Sequence, residues 1–369
     1  MHKVGRWLVV TLVLFVVGAA TVLAAPEDSW HRETLASGLG QYGGMADLVL
    51  DHQLRPHLFY YSHTATSLLH AFDAGNGWTT EVVDGHGGAY PGAAMDDQGA
   101  IHVAYTGGEP AGFAYALWSN GGWSYDAIDP DVTAYYGNLA LDAMGVPHVS
   151  YYVVESRAVC YATISNTQWV TQTVEITGQE PLAPRQTSIA VDSLGRPHIA
   201  YHHADLHVAR YAWLDGGVWR IETVDDSAST GTHIALALDS QDAPHVAYYD
   251  ADARRLRYSV RQPAEWQRET LDAAMTSGWY PTLALTRQDE PRVAFYRERD
   301  QDLMFAEKTG SSWAYRNLDS SGVVGLYSQM VLDRHERPHI VYTRFDTQSV
   351  RYAHYGHTTR VALPIAVKP

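Results

Sequence analysis

Residues 189–201 read Ile189-Ala-Val-Asp192-Ser-Leu-Gly195-Arg-Pro-His198-Ile-Ala-Tyr201: an apolar run ending in Asp, a short turn, and a second apolar run that opens with Pro-His. Related stretches recur along the chain, with Arg292 replacing the histidine in one of them. The repeated histidines are His57, His102, His148, His198, His245 and His339. Short apolar runs bounded by Gly, Pro and Asp are typical of β-strands. The turn predicts a positive φ at Gly99, Gly145, Gly195, Asp242 and Asp289.

Tryptophan marks the same repeat. Seven tryptophans follow one another at intervals of 45 to 50 residues: Trp30, Trp78, Trp123, Trp169, Trp219, Trp266 and Trp313. Each opens a run that alternates bulky and polar residues, as in Trp219-Arg-Ile-Glu-Thr-Val224, which indicates a half-buried strand. In six of the repeats a further strand carries an aromatic residue before a small one: Tyr115, Tyr161, Tyr211, Tyr258, Phe305 and Tyr352. Four short strands per repeat without helical periodicity are typical of propeller blades.

The two ends of the repeat region predict how the ring closes. A lone Trp strand at 30–35 precedes the first repeat, and no Trp strand follows the strand at 350–355. We therefore predict an all-β fold, a seven-bladed β-propeller with four antiparallel strands per blade, in which the N-terminal strand completes the last blade. Such closure protects sheet edges that would otherwise invite aggregation.

The segments outside the repeats have their own predictions. Residues 1–24 are predicted to be a signal peptide, because Lys3 and Arg6 precede an apolar run that ends in small residues. An uncleaved membrane anchor is the alternative. Residues 25–357 are predicted to form one propeller and 358–369 a C-terminal tail. Both alternatives place the propeller outside the cytoplasm, secreted or on the cell surface, and we expect a monomer.

Composition excludes some functions. Hydrophobic residues make up 46% and charged residues 18%, enough for a large core. The formal net charge of −15 argues against nucleic acid as a partner. Cys160 is the only cysteine, so no internal disulfide can form, and we expect it to be buried in a strand. One histidine per blade predicts a structural hydrogen bond rather than a metal site, and we expect neither metal nor cofactor.

The repeats resemble those of bacterial secreted propellers of the sialidase superfamily, often described as BNR-like. The resemblance rests on the Asp-x-x-Gly-x-Pro-His-(Val/Ile)-Ala-Tyr core and the Trp-x-x-Glu-Thr-Val strand and covers residues 30–357. It implies a propeller fold and functions that range from sialidases and polysaccharide lyases to lectins. The Asp-box Ser-x-Asp-x-Gly-x-x-Trp of sialidases is absent, and no arginine triad can be assigned, so sialidase activity is not expected.

Aromatic residues are the candidates for ligand binding. Longer loops lead into the innermost strands, and loops on a rigid scaffold often carry function. Six residues before the position that Asp usually occupies at the end of the inner strand, the repeats place Tyr90, Tyr136, Tyr280 and Tyr327, with Trp279 beside them. Met45, Gln186 and His233 fill the other three positions. We expect this set to surround one mouth of the central channel and either to bind sugar or to wedge neighbouring blades together.

A second set interrupts the repeat and could carry catalysis. It comprises His202, His203, Tyr249 and Arg185. A His and a Tyr near an Arg form the set that a polysaccharide lyase needs: one group removes the proton next to a uronate carboxylate, another protonates the leaving oxygen, and the cation neutralises the carboxylate. This hypothesis requires the four side chains to converge in one pocket; the alternative is a solvated polar loop.

Three functions follow from these patterns. The first is a non-catalytic binding propeller whose partner is an extracellular glycan or another surface polymer. The second is a glycan-active enzyme, a polysaccharide lyase ahead of a hydrolase. The third is a protein-interaction scaffold, which predicts a flat, polar face without an aromatic cleft.

Overall fold

The repeating strands form seven four-stranded antiparallel sheets arranged as blades. A computed structural model of the chain describes residues 28–40, 44–75, 77–107, 112–178, 186–227, 229–271 and 278–356. These residues contain no helix and hence none that could cross a membrane. The predicted signal peptide, the predicted tail and Arg185 lie outside the described residues. The prediction of an all-β, seven-bladed propeller with four antiparallel strands per blade is confirmed.

Within each blade the strands run from the channel outward. Blade 1 contains β2 (Ala46–Leu50), β3 (Pro56–Ser62), β4 (Ser67–Asp73) and β5 (Trp78–Asp84). Blade 2 contains β6 (Ala89–Met95), β7 (Ile101–Gly107), β8 (Gly112–Ser119) and β9 (Gly122–Pro130). Blade 3 contains β10 (Ala134–Leu141), β11 (Pro147–Val153), β12 (Ala158–Ser165) and β13 (Gln168–Ile176). Blade 4 contains β14 (Thr187–Val191), β15 (Pro197–His203), β16 (Val208–Asp215) and β17 (Val218–Asp225).

The remaining three blades follow the same order. Blade 5 contains β18 (Thr230–Leu238), β19 (Pro244–Asp250), β20 (Arg255–Arg261) and β21 (Trp266–Thr270). Blade 6 contains β22 (Trp279–Leu285), β23 (Pro291–Arg297), β24 (Asp302–Thr309) and β25 (Ser312–Asp319). Blade 7 contains β26 (Val324–Leu332), β27 (Pro338–Arg344), β28 (Ser349–Gly356) and, as its outermost strand, β1 (Ser29–Ala36).

The first strand of the chain lies where the ends of the sequence predict it. Strand β1 pairs antiparallel with β28, and Trp30 stands opposite Tyr355. Leu48 of blade 1 shares a hydrophobic cluster with Val341 and Tyr352 of blade 7. The first and last blades are therefore in direct contact.

The repeated histidines tie each turn to the sheet. His198 hydrogen-bonds through Nδ1 to the Tyr211 hydroxyl, and its Nε2 lies 3.2 Å from the Asp192 carboxylate. Asp192 in turn accepts the backbone N–H groups of Leu194 and Arg196, which closes the turn. The positive φ predicted at five turn positions is present at all of them. The structural role predicted for these histidines is confirmed.

The core lies between the blades. Tyr211 of blade 4 packs in one cluster with Leu236 and Tyr248 of blade 5. Tyr248 is fully buried, and its hydroxyl donates to Asp225 of blade 4 at 2.7 Å. The same bond recurs from Tyr105, Tyr151, Tyr201 and Tyr342 to an acidic residue of the preceding blade. Cys160 is buried within β12, as predicted.

Candidate functional site at the channel mouth

Bulges at the start of the inner strands hold four tyrosines in an unusual backbone conformation. Tyr90, Tyr136, Tyr280 and Tyr327 have φ values of +53°, +55°, +52° and +52°. Each lies at a register shift between the innermost strand and its neighbour. A left-handed backbone at a bulky residue costs about 1–2 kcal/mol, so surrounding contacts must maintain it. We call these four residues the tyrosine cluster.

The structure brings the tyrosine cluster together at one end of the channel. The ring centroids of Tyr90 and Tyr136 are 4.3 Å apart, and those of Tyr280 and Tyr327 are 4.4 Å apart. The four side chains surround one cavity together with Met45 and Gln186, the residues at two of the other predicted positions. Asn138 and Gln329 also line it and were not predicted, although each stands two residues after a cluster tyrosine.

The enclosed space is small. Its volume is about 50 Å³, whereas sites for small molecules usually measure about 300–1,000 Å³. It can hold water but not a sugar ring. A larger ligand would therefore contact the half-buried outer surface of the tyrosine cluster rather than enter it.

The tyrosine cluster also joins neighbouring blades. The backbone carbonyl of Tyr136 in blade 3 accepts from Thr187 of blade 4, and that of Tyr280 in blade 6 accepts from Ser328 of blade 7. Tyr90 and Tyr136 themselves come from adjacent blades. These contacts support the predicted role of the tyrosines in holding neighbouring blades together. The hydrogen bonds are made by backbone carbonyls, so they do not use the rings or hydroxyls that would contact a ligand.

Burial determines the charge states at the mouth. It raises the pKa of Tyr90 and Tyr280 well above the ordinary value of 10.0, and neighbouring tyrosines add to the shift. Their hydroxyls are therefore neutral. Burial also lowers the pKa of His233 to about 3, with a further contribution from His202. The mouth thus presents neutral donors and acceptors rather than charges.

A second aromatic group lies beside the cluster. The His233 ring packs on Tyr280 at 4.1 Å and stacks on Trp279 at 5.7 Å. Tyr249 lies 5.9 Å from Trp279, centroid to centroid. Among the described residues, the Nδ1 atom of His233 and the Nε1 atom of Trp279 are buried and have no hydrogen-bond partner.

The candidate catalytic residues do not all converge. His202 Nδ1 hydrogen-bonds to the carbonyl of Thr230 at 2.8 Å, on the side of blade 5. His203 points the other way, with its Nε2 3.9 Å from Glu175 of blade 3. The expected convergence thus fails for His203, because successive residues of a strand project to opposite faces.

Tyr249 and His202 both lie close to His233. The Tyr249 ring centroid lies 6.4 Å from that of His233, whose pKa His202 helps to lower. His202, His233 and Tyr249 are all buried. Within the described part of the chain, no group of three His, Cys, Asp or Glu side chains could hold a metal ion.

Comparison with known proteins identifies the fold. No family model and no curated protein matches this sequence. A fungal alcohol oxidase of the AA5 family, in complex with copper, is 10% identical; the match covers 89% of this chain and 76% of that chain, with a TM-score of 0.63. An ulvan lyase of polysaccharide lyase family PL25, bound to -[GlcA(1-4)Rha3S]-, is 11% identical over 86% of this chain and 92% of that chain, with a TM-score of 0.58.

A lectin is also among the similar structures. SapL1, solved in complex with alpha methyl fucoside, is 13% identical over 76% of this chain and 98% of that chain, with a TM-score of 0.50. Identities this low establish a shared architecture and no more. The chain therefore has the propeller fold found in lyases, a lectin and an oxidase, and its membership of the BNR-like group stays a prediction.

Proposed function

We propose that this protein is an exported, non-catalytic propeller that binds carbohydrate at the tyrosine cluster. The observation that carries the proposal is the left-handed backbone shared by Tyr90, Tyr136, Tyr280 and Tyr327. Backbone strain at the same position in four blades indicates that these four side chains are kept for a function. The expected partner is an extracellular glycan.

The chemistry of the mouth fits a sugar. Aromatic faces pack against the C–H groups of a pyranose, and phenol hydroxyls exchange hydrogen bonds with its hydroxyls. The neutral state of Tyr90 and Tyr280 favours an uncharged part of the glycan. The similar lyase and lectin were both solved with sugars bound, which supports this class of ligand.

Burial favours binding over catalysis. A general acid or base works best when its pKa lies near the operating pH and when it reaches the substrate. The pKa of His233 is lowered to about 3, so it stays neutral and is a weak base at neutral pH. His202 and Tyr249 are 7% and 5% exposed, which keeps them from a polymer on the surface.

A glycan array and a degradation screen on the same protein test the proposal. We expect saturable binding of at least one glycan and no release of unsaturated, ultraviolet-absorbing ends. Tyr280→Phe should weaken binding by up to about tenfold, because one hydroxyl contributes about 0.5–1.5 kcal/mol. Tyr125→Phe, the same change on the outer strand of blade 2, should bind as the unmodified protein does. Unsaturated products would favour the lyase, and a protein partner without glycan binding would favour the scaffold.

A further inference from the structure

A second cavity opens between blades 4 and 5, on the face opposite the tyrosine cluster. It lies beside the short turns that join β18 to β19 and β20 to β21. Its volume is about 640 Å³, within the ~300–1,000 Å³ typical of small-molecule sites. We call it the 4/5 cleft. It is large enough for a sugar ring, whereas the space inside the tyrosine cluster is not.

One wall of the 4/5 cleft is an aromatic platform. Trp213 is half-buried and stacks on Tyr211 at 5.5 Å with an interplanar angle of 24°. Tyr211 is itself fixed by its hydrogen bond to His198. Across the cleft, blade 5 contributes Pro244 and Pro263. An indole held in this way offers a flat apolar surface that needs little ordering when a ligand arrives.

The polar groups of the 4/5 cleft are held in place by ion pairs. Arg196 donates through Nε to Asp192 at 2.6 Å, and Arg261 donates through Nε to Glu222 at 2.7 Å. Both guanidinium groups line the cleft with Glu222 and Asp239, so two cations face two carboxylates. Such a balance disfavours an ionic ligand, while guanidinium and carboxylate groups bind adjacent hydroxyls well.

Similar clefts recur at equivalent positions but differ in their walls. The cleft between blades 6 and 7 measures about 520 Å³, and that between blades 7 and 1 about 350 Å³. The residues equivalent to Trp213 there are Glu307 and His354. Of these three, only the 4/5 cleft has a tryptophan at this position; Trp30, which lines the cleft between blades 6 and 7, lies on the outermost strand and packs edge-on against Phe305 and Tyr355.

We propose that the 4/5 cleft is a second binding site, which takes one neutral pyranose unit. The sugar ring packs on the Trp213 indole, and its adjacent hydroxyls hydrogen-bond to Arg261 and Asp239. The proposal does not depend on the tyrosine cluster, because the two sites lie on opposite faces. Two sites would let the protein bridge glycan chains or gain avidity on a polymer.

Titration with methyl pyranosides tests this site. The probes are the methyl glycosides of glucose, galactose, mannose, xylose and fucose, added to protein with ¹⁵N-labelled tryptophan. We expect at least one probe to shift the Trp213 indole N–H signal with a Kd of the order of 1 mM, the strength of a weak single site. Trp213→Leu lacks the reporting signal, so its binding is followed by saturation-transfer NMR of the probe itself; it should be weaker by at least about tenfold, since stacking and apolar burial are lost together.

Matched variants separate this site from other effects. Trp118→Leu removes a half-buried tryptophan of blade 2 that packs between blades 1 and 2, and it should leave binding unchanged. Arg261→Gln keeps the Trp213 platform and should also weaken binding. This second variant tests the site even if Trp213→Leu folds poorly. Tyr280→Phe should have no effect on this titration, although it weakens binding at the tyrosine cluster. Absence of a Trp213 shift with every probe, or unchanged affinity in Arg261→Gln, would overturn the proposal.

Discussion

Burial keeps the repeated histidines neutral. It lowers the pKa of His102, His148, His198 and His245 below the ordinary 6.5, and it lowers that of His339 to about 4. In the unfolded chain these groups take up protons below pH 6.5, while the folded protein resists protonation. Their contribution to stability is thus complete above pH 6.5 and is lost as the pH falls toward the folded pKa.

His339→Gln tests this acid sensitivity. The unfolding free energy of the natural protein should fall between pH 7 and pH 4.5, and in the variant this fall should be smaller by about 2–3 kcal/mol. The reason is that the pKa of His339 is about 4 in the folded protein. Thermal unfolding at both pH values measures it. The variant should be less stable at pH 7, because the hydrogen bond between the imidazole and the Tyr352 hydroxyl is lost. An unchanged difference between the two pH values would contradict the assignment.

Asp47 has the opposite pH dependence. Its carboxylate lies on the inner strand of blade 1 and accepts the N–H of Ala93 in blade 2 at 2.8 Å. Burial raises its pKa from 3.8 to about 7. The folded protein therefore binds a proton that the unfolded chain releases, and stability falls as the pH rises from about 4 to 7.

Asp47→Asn should remove this loss of stability. Asn138 already makes the equivalent bond in blade 3, where its Oδ1 accepts the N–H of Ile189 at 3.1 Å. An amide can thus replace the carboxylate without losing the acceptor. We expect Asp47→Asn to be more stable than the natural protein at pH 8 by about 1–3 kcal/mol, the penalty of a buried, unpaired charge. Lower stability at pH 8, measured by denaturant unfolding, would contradict this account.

At the level of elements, the outermost strands of neighbouring blades are connected by tryptophan. The Nε1 of Trp266 in blade 5 donates to Glu222 of blade 4 at 3.1 Å. The same contact links Trp123 to Glu81 and Trp313 to Glu269. Each bond joins the first residue of one tryptophan-marked strand to the glutamate four positions along the preceding tryptophan-marked strand, counting its Trp as the first.

Substitution of Glu222 should show what this contact contributes. Glu222→Ala removes the acceptor of the Trp266 indole N–H and of the Arg261 Nε, and we expect it to lower the unfolding free energy by about 1–3 kcal/mol. Glu222→Gln should recover much of that loss, because Gln172 is the natural acceptor for Trp219 at 3.1 Å. Denaturant unfolding measures both variants, and equal stability of the two would argue against the bond.

Strands and turns were predictable, while the directions of the side chains at the mouth were not. Alternating residues and the Asp-x-x-Gly turn are local signals, so the sheets and the role of His198 follow from the sequence. The bulge at Tyr136 replaces regular pairing with an extra residue, which changes where the side chain points. The separation of His202 from His203 follows from strand alternation. The 4/5 cleft could not be predicted, because its walls come from two blades and its size depends on how far apart those blades lie.

At the level of the whole molecule, the ring depends on a strand from the other end of the chain. Trp30 of β1 packs on Phe305 of blade 6 at 5.3 Å, and the Arg32 guanidinium donates to the carbonyl of Leu318. Strand β1 thus holds blades 6 and 7 together and covers the edge of β28. Exposed edges of this kind pair with other molecules.

Removal of residues 1–36 should therefore cause self-association. The matched control lacks residues 1–27 and keeps β1. We expect the control to be monomeric and the shorter chain to form larger species by light scattering, with a lower unfolding temperature. Addition of a peptide spanning residues 28–37 should restore the monomer. A stable monomer without β1 would contradict the closure described above.

The position of a bound oligosaccharide tests the central claim most directly. A crystal structure with the best ligand from the array should show an intact chain whose sugar ring contacts Tyr90 or Tyr280 at the channel mouth. A second unit in the 4/5 cleft is compatible with that result. A cleaved chain beside His202 and Tyr249, or sugar bound only away from the tyrosine cluster, would contradict it.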